Sequence, residues 1–373
     1  MDAGELPRHD IDSSKDLGSI VAGAVAIVDR VESLAPYLPD LAPDDRERVE
    51  RYMLRASADA TLRAYKSDWR LFCAWCAENG YRPLPAAPVT VAAFLTLLAE
   101  TGYSPREDLL TKRGRAIKFG EPTPLSRSTI GRRLAAIVFA HRAAEVEPPT
   151  SQPGAARLEK AVRAIRREKK ETDEVVKKRA ADGDVLRDML RSVAGEDLRG
   201  YRDRALLAIG MAGAFRRSEL VAITIARVTQ DTRGLSVRIG SSKTDQYGKG
   251  QTVAIPDGRR LEPVRHYRAW LAKAGIDSGP VFRKLTPQGR LTDKAMSAQG
   301  VALVVKAAAI TAGYRSETFS AHSLRSGFLT EAGRQNANLF KMRSHSRHAS
   351  IEMVAEYVHD HERFEDHAGD GFL

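Results

Sequence analysis

Four short segments in the second half of the chain carry side chains suited to attack on a phosphodiester. They are Arg216-Arg217-Ser218-Glu219-Leu220, Ser242-Lys243-Thr244-Asp245-Gln246, His322-Ser323-Leu324-Arg325, and His348-Ala349-Ser350-Ile351 running on to Tyr357. Guanidiniums bind nonbridging phosphate oxygens bidentately as negative charge grows on them. A phenol is mostly protonated at neutral pH, so it becomes a nucleophile only beside a base, and an imidazole serves. A lysine supplies the proton that a departing alkoxide needs. His345-x-x-His348 and His359-Asp360-His361 could suggest a metal site, but this chemistry needs no ion, and no Gly-x-x-x-x-Gly-Lys-Ser/Thr loop is present. No cofactor is expected.

These segments need elements to position them. Helical periodicity surrounds 203–222, and 235–239 and 252–255 alternate as strands around a glycine-rich turn that carries Lys243. Helical patterns resume from Leu261 to the end. The expected second domain, 185–373, is therefore mainly α with one small antiparallel sheet. Ahead of it, 61–78, 89–100, 126–144 and 157–167 read as helices, with a turn at Pro148, Pro149 and Pro153. They make a helical domain over 57–172, joined to the second by a charged linker over 173–184 and preceded by an extension, 1–56, of unassigned role.

Cys73 and Cys76 are spaced for a redox pair or half a zinc site, but Leu62, Tyr65, Trp69, Phe72 and Cys76 recur at helical spacing. Both thiols belong to a helix core. The 102–125 stretch is a basic loop with Arg106, Lys112, Arg113, Arg115 and Lys118. On 157–167, Leu158, Ala161, Val162 and Ile165 form one face, while Arg157, Lys160, Arg163 and Arg167 form the other. Arg163 and Arg167, with Arg127, Arg132 and Arg133 on the preceding helix, are the candidate DNA contacts.

The 373 residues are 43% hydrophobic, enough to fill two cores, and carry a formal charge of +11. That charge points to a polyanion, because lysine and arginine release counterions when they neutralise phosphates. The longest uncharged apolar stretch, 18–28, is too short to span a bilayer, and Asp2, Glu5, Asp10 and Asp12 oppose a signal peptide's basic start. A cytoplasmic protein without membrane partners is expected.

Taken in order, the four segments resemble the boxes of the tyrosine recombinase, or phage integrase, family. Arg216-Arg217-Ser218-Glu219-Leu220 is similar to its Arg-x-Ser-Glu-Leu box, Lys243 to its hairpin lysine, His322-Ser323-Leu324-Arg325 to His-x-x-Arg, and His348 to the histidine preceding the tyrosine. The likeness runs from about residue 58 to 360 and includes a SAM-like helical core-binding domain. It departs in the basic 102–125 loop, which is longer than a minimal core-binding domain needs, and at the third box, which opens Ser344-His345-Ser346-Arg347-His348 where Leu-Gly-His is usual, so that His345 rivals His348.

The resemblance implies a site-specific recombinase that cleaves DNA through a 3′-phosphotyrosyl bond, for integration, excision or resolution of a mobile element. Tyr357 would be the nucleophile, Arg216 and Arg325 the phosphate clamp, His322 the base, His348 a phosphate hydrogen-bond partner and Lys243 the acid. It implies double-stranded DNA bearing an inverted repeat, a cyclic homotetramer on that DNA, docking by a tail containing Phe364, Ala368, Phe372 and Leu373, and a bacterial, nucleoid-associated setting. An excision or directionality factor is a further partner. The alternatives are type IB topoisomerase-like relaxation and a sequence-specific DNA-binding protein that does not cleave.

Overall fold

The structure, a computed structural model, describes residues 44–45, 59–106, 120–172, 178–240 and 250–359. The chain divides into two compact units, Met1–Val175 and Val176–Leu373.

In the first unit four helices are described: α1 (Asp59–Glu78), α2 (Pro88–Glu100), α3 (Arg127–Ala143) and α4 (Ala155–Thr172). Trp69, Phe72, Cys73 and Cys76 fall three or four residues apart on α1 and are fully buried. Pro88 opens α2, where a missing N–H costs nothing because the first turn has no internal acceptor for it. Phe72 and Trp75 each meet Phe94 of α2 at 5.1 Å between ring centroids. Each such side chain contributes about 1.5–3 kcal/mol by leaving water. Burial pushes both thiols up, so neither is a ready thiolate. His141 is also internal: its Nδ1 lies 2.8 Å from the Ile137 carbonyl and its Nε2 accepts from the Ala86 amide at 2.9 Å.

The second unit begins with α5 (Gly183–Ser192) and α6 (Leu198–Ala212), N-capped by Asp182 and Asp197. After the short α7 (Arg217–Val221) come strands β1 (Val228–Asp231), β2 (Gly234–Ile239) and β3 (Gln251–Pro256). They form an antiparallel sheet in the order β1-β2-β3, with Val237 opposite both Val228 and Val253. Helix α8 (Pro263–Ala274) packs on α6 and buries Tyr267 and Trp270. A second sheet follows, β4 (Arg283–Leu285) with β5 (Leu291–Ala295), and then α9 (Ala298–Thr311).

This hairpin corrects the expectation of one sheet. Its strands are three and five residues long, and only Leu285 is buried, so no alternation marks them. Three helices close the unit: α10 (Ser323–Arg334), α11 (Leu339–Ser346) and α12 (Glu352–His359). They share a small core of Leu329, Met342 and Val354, against which the Tyr357 ring packs. Gly327 lets α10 press on the preceding chain, since a Cβ there would meet the Ala181 carbonyl oxygen at 1.9 Å. Among the described residues no helix is long and apolar enough to cross a membrane.

Candidate active site

Arg216 is not within a helix but is the residue that precedes α7, in extended backbone. Glu219, in the first turn of α7, folds back on it. One carboxylate oxygen accepts the Arg216 amide at 2.9 Å and the other accepts Arg216 Nη1 at 2.6 Å. The helix start thus holds Arg216 at both backbone and side chain.

Arg325 lies in the first turn of α10 and is 1% exposed. Its Nη1 donates to the Ala214 carbonyl at 2.8 Å, whereas its Nη2 is buried with no hydrogen-bond partner among the described residues. Burial, then Arg216 and Arg347, push this guanidinium down to about 9, so it stays cationic at neutral pH while crowded by like charge. A buried cation of this kind favours an anion beside it.

Tyr357 follows Val354 by three positions on α12, so anchoring Val354 in the small core brings the phenol to the same face. Tyr357 Oη lies 3.2 Å from His322 Nε2. His322 is exposed, but the protein packed around its ring, followed by Arg325 and Arg216, lowers its pKa below the ordinary 6.5. It is therefore neutral at pH 7 and able to accept a proton.

Of the two histidines in the third box, His345 faces inward. Its Nε2 donates to the Ala212 carbonyl at 2.8 Å and its ring stacks on Phe328 at 4.5 Å. His348 is the one beside Tyr357, with ring centroids 6.2 Å apart. Ser346 Oγ sits 2.7 Å from the Met342 carbonyl, which can only accept, so the hydroxyl proton lies there. The 2.7 Å contact between Ser346 Oγ and His348 Nδ1 then requires Nδ1–H to donate, leaving Nε2 as a lone pair. Burial, Arg325 and Arg216 hold His348 down to about 4. A phosphate contact donated from Nε2 needs proton uptake there, which the arginines oppose and an added anion favours.

Arg216, His322, Arg325, His348 and Tyr357 are thus brought together. Lys243 lies outside the described residues, as do the tail residues Phe364, Ala368, Phe372 and Leu373, most of the basic loop, and the extension apart from residues 44–45. Sequence reasoning gave no role to Arg347, which is 4% exposed and ion-paired with Glu219 at 2.8 Å. Its only signal was the departure from Leu-Gly-His.

The candidate DNA contacts divide. Arg127 and Arg167 are exposed. Arg163 is exposed and 3.0 Å from Glu159 one turn earlier. Arg132 is 3.2 Å from the buried Asp68, its side chain 41% exposed. Arg133 differs from the others: its side chain is mostly buried, 2.8 Å from Asp68, a carboxylate in the core that it partly neutralises.

The phage integrase family matches residues 181–363. An integrase/recombinase xerD homolog of Selenomonas ruminantium is 33% identical over 327 residues, which are 86% of this chain and 87% of that protein. A tyrosine recombinase of Synechococcus elongatus is 28% identical over 306 residues, 80% and 83% of the two chains. The fold is similar to that of XerH site-specific recombinase bound to palindromic difH substrate, with a TM-score of 0.57 at 14% identity, covering 97% of this chain and 98% of that one. It is also similar to a lambda integrase dimer bound to a COC′ core site, at 0.52 and 16% identity over 85% and 95%. Alignment along most of the chain with a xerD homolog and the family match across the arginine, histidine and tyrosine boxes lead to one conclusion: the chain belongs to the phage integrase family, as a site-specific tyrosine recombinase that cuts and rejoins DNA.

Proposed function

We propose that Tyr357 is the nucleophile and that the chain carries its own complete cleavage site, acting in cis. The observation that supports this is the 3.2 Å separation of Tyr357 Oη from His322 Nε2 within one chain. In the proposed step, Tyr357 Oη bonds to phosphorus as His322 Nε2 takes its proton. Arg216 and Arg325 hold the nonbridging oxygens, the bond from phosphorus to the 5′ oxygen breaks, and Lys243 protonates the leaving oxygen. A 3′-phosphotyrosyl bond and a free 5′ hydroxyl result. Attack by the 5′ hydroxyl of another strand reverses the step and completes exchange, without loss of the phosphodiester's energy. His348 contacts the phosphate once the anion has restored its proton.

The second unit is the catalytic domain, and the helical first unit binds the flanking duplex through Arg127, Arg132, Arg163 and Arg167. The target is an inverted repeat in double-stranded DNA, a reading supported by the palindromic substrate of the XerH complex. Four copies assemble in a closed ring and act in the bacterial cytoplasm on integration, excision or resolution of a mobile element, with direction set by an accessory factor.

The test is a nicked suicide duplex built on the sequence the protein selects from a random DNA library. The expected result is a covalent protein–DNA adduct that is absent with Tyr357→Phe. An adduct that persists in that variant overturns the assignment. Mixing Tyr357→Phe with Arg216→Ala chains restores no cleavage if the site acts in cis, and restored cleavage would show a tyrosine donated in trans.

A further inference from the structure

Arg347 ends α11 with φ +59, in the left-handed region where glycine is usual and a side chain is disfavoured. Such a residue persists only where its surroundings compensate, and here its guanidinium makes an unusual number of buried contacts. Nη2 reaches Glu219 Oε2 at 2.8 Å and the Ala214 carbonyl at 2.9 Å. Nη1 donates to the Gly213 carbonyl at 3.2 Å and to the His345 carbonyl. The planar group lies 5.3 Å from the Phe215 ring centroid.

Two of these partners touch a candidate catalytic group. Glu219 also binds Arg216, and the Ala214 carbonyl also accepts Arg325 Nη1. The Arg347 carbonyl itself accepts Arg216 Nη2 at 2.9 Å, and the next residue is His348. Two guanidiniums therefore share one carboxylate, and the third, Arg325, is tied to the same cluster through the Ala214 carbonyl. By sharing Glu219, Arg347 keeps that carboxylate from fully neutralising Arg216, and its fork fixes the Ala214 carbonyl that locates Arg325.

We propose that Arg347 is a positioning residue that sets the placement and net positive charge of the Arg216–Arg325 pair and ties the third box to the first. This rests on the reading that those two arginines bind the scissile phosphate. The Leu-Gly-His departure is then functional: where glycine merely permits the turn, Arg347 makes the turn a brace.

Two variants test it on the nicked duplex described above, at saturating DNA and in single turnover. Arg347→Gly suits the left-handed backbone but removes the buried guanidinium and leaves Glu219 to Arg216 alone, so it can unfold the unit. Arg347→Lys keeps a cation beside Glu219 yet cannot span the Glu219, Ala214 and Gly213 oxygens with one planar fork. The expected result for Arg347→Lys is a folded protein with unchanged DNA affinity and a cleavage rate constant lower by ~10–100-fold. Wild-type cleavage in folded Arg347→Lys overturns the proposal, and so does a loss of rate matched by an equal loss of affinity or of melting temperature. Tyr357→Phe run alongside separates the two readings. An adduct in that control removes the nucleophile assignment, whereas a clean control with fast Arg347→Lys removes only the role of Arg347.

Discussion

Asp68 in the first unit and Glu219 in the second are each held by two arginines, Arg132 with Arg133 and Arg216 with Arg347. The outcomes are opposite. Burial outweighs both arginines at Asp68 and raises its pKa. At Glu219 burial pushes in the same direction, but Arg347 and the hydrogen bonds from Arg216 and Arg347 overcome it and hold the carboxyl below its ordinary value. The second unit then adds a third guanidinium, the buried Arg325, which has no carboxylate paired with it among the described residues. The same ingredients tie two helices together in one place and create uncompensated positive charge in the other. A buried acid–arginine cluster points to an anion site where, as at Arg325, a buried guanidinium has no acid paired with it among the described residues.

The comparison breaks most visibly at the acids. Glu219→Gln strands Arg347 and loosens Arg216, and the expected cost to the second unit is ~3–5 kcal/mol. Asp68→Asn costs the first unit less, about 1–3 kcal/mol, because the carboxylate it removes was itself disfavoured by burial. Hydrogen exchange resolved by unit measures both in the full chain, and equal losses would dissolve the distinction. Acid sharpens it. The folded pKa of Glu219 is depressed, so its contribution is complete above the ordinary 4.5 and is lost as pH falls through the folded value. That of Asp68 is raised above the ordinary 3.8, so protonation favours the folded state and its contribution improves as pH falls. His348, held at about 4 against 6.5 unfolded, adds a loss to the second unit between those values. The second unit should therefore open first on acidification.

At the guanidiniums the contrast lies in rate. Arg325→Lys keeps a charge but loses the fork, and cleavage of the nicked duplex should fall by about 10²–10³-fold, the range for removing one transition-state donor. Arg133→Lys, at the structurally parallel place in the first unit, should leave the cleavage rate constant at saturating DNA unchanged. A comparable loss in both would mean that Arg133 does more than hold Asp68.

Much of this arrangement was legible in the chain. The helices of the first unit follow from Trp69, Phe72 and Cys76 and from the apolar faces of the later segments, since burial of one helix face leaves its period in the sequence. The boxes around Arg216, Arg325 and Tyr357 were found as chemistry-bearing residues in order. The β4–β5 hairpin was not, because exposed three- and five-residue strands need no alternation. The buried pairings of Arg133 and Arg347 were not legible, for a shared reason. Whether an arginine faces solvent or a buried carboxylate depends on a partner distant in sequence, Asp68 in one case and Glu219 in the other. The Ser346 proton that fixes the His348 tautomer is equally invisible before the fold brings the Met342 carbonyl within 2.7 Å.

The smallest effect concerns how arginines of the first unit meet DNA. An exposed arginine that neutralises one phosphate releases about one counterion, so Arg167→Gln should reduce the slope of log affinity against log salt by about 1. Arg163→Gln should act in the same direction but less, because Glu159 at 3.0 Å already partly neutralises it. Arg133→Gln should leave the slope where it was, while lowering the stability of the first unit, because its charge answers Asp68 rather than a phosphate. Salt titrations of binding to the selected duplex distinguish these cases directly. A slope that falls with Arg133→Gln as much as with Arg167→Gln would place that guanidinium on the DNA, and the parallel between Asp68 and Glu219 would then extend from architecture to anion binding.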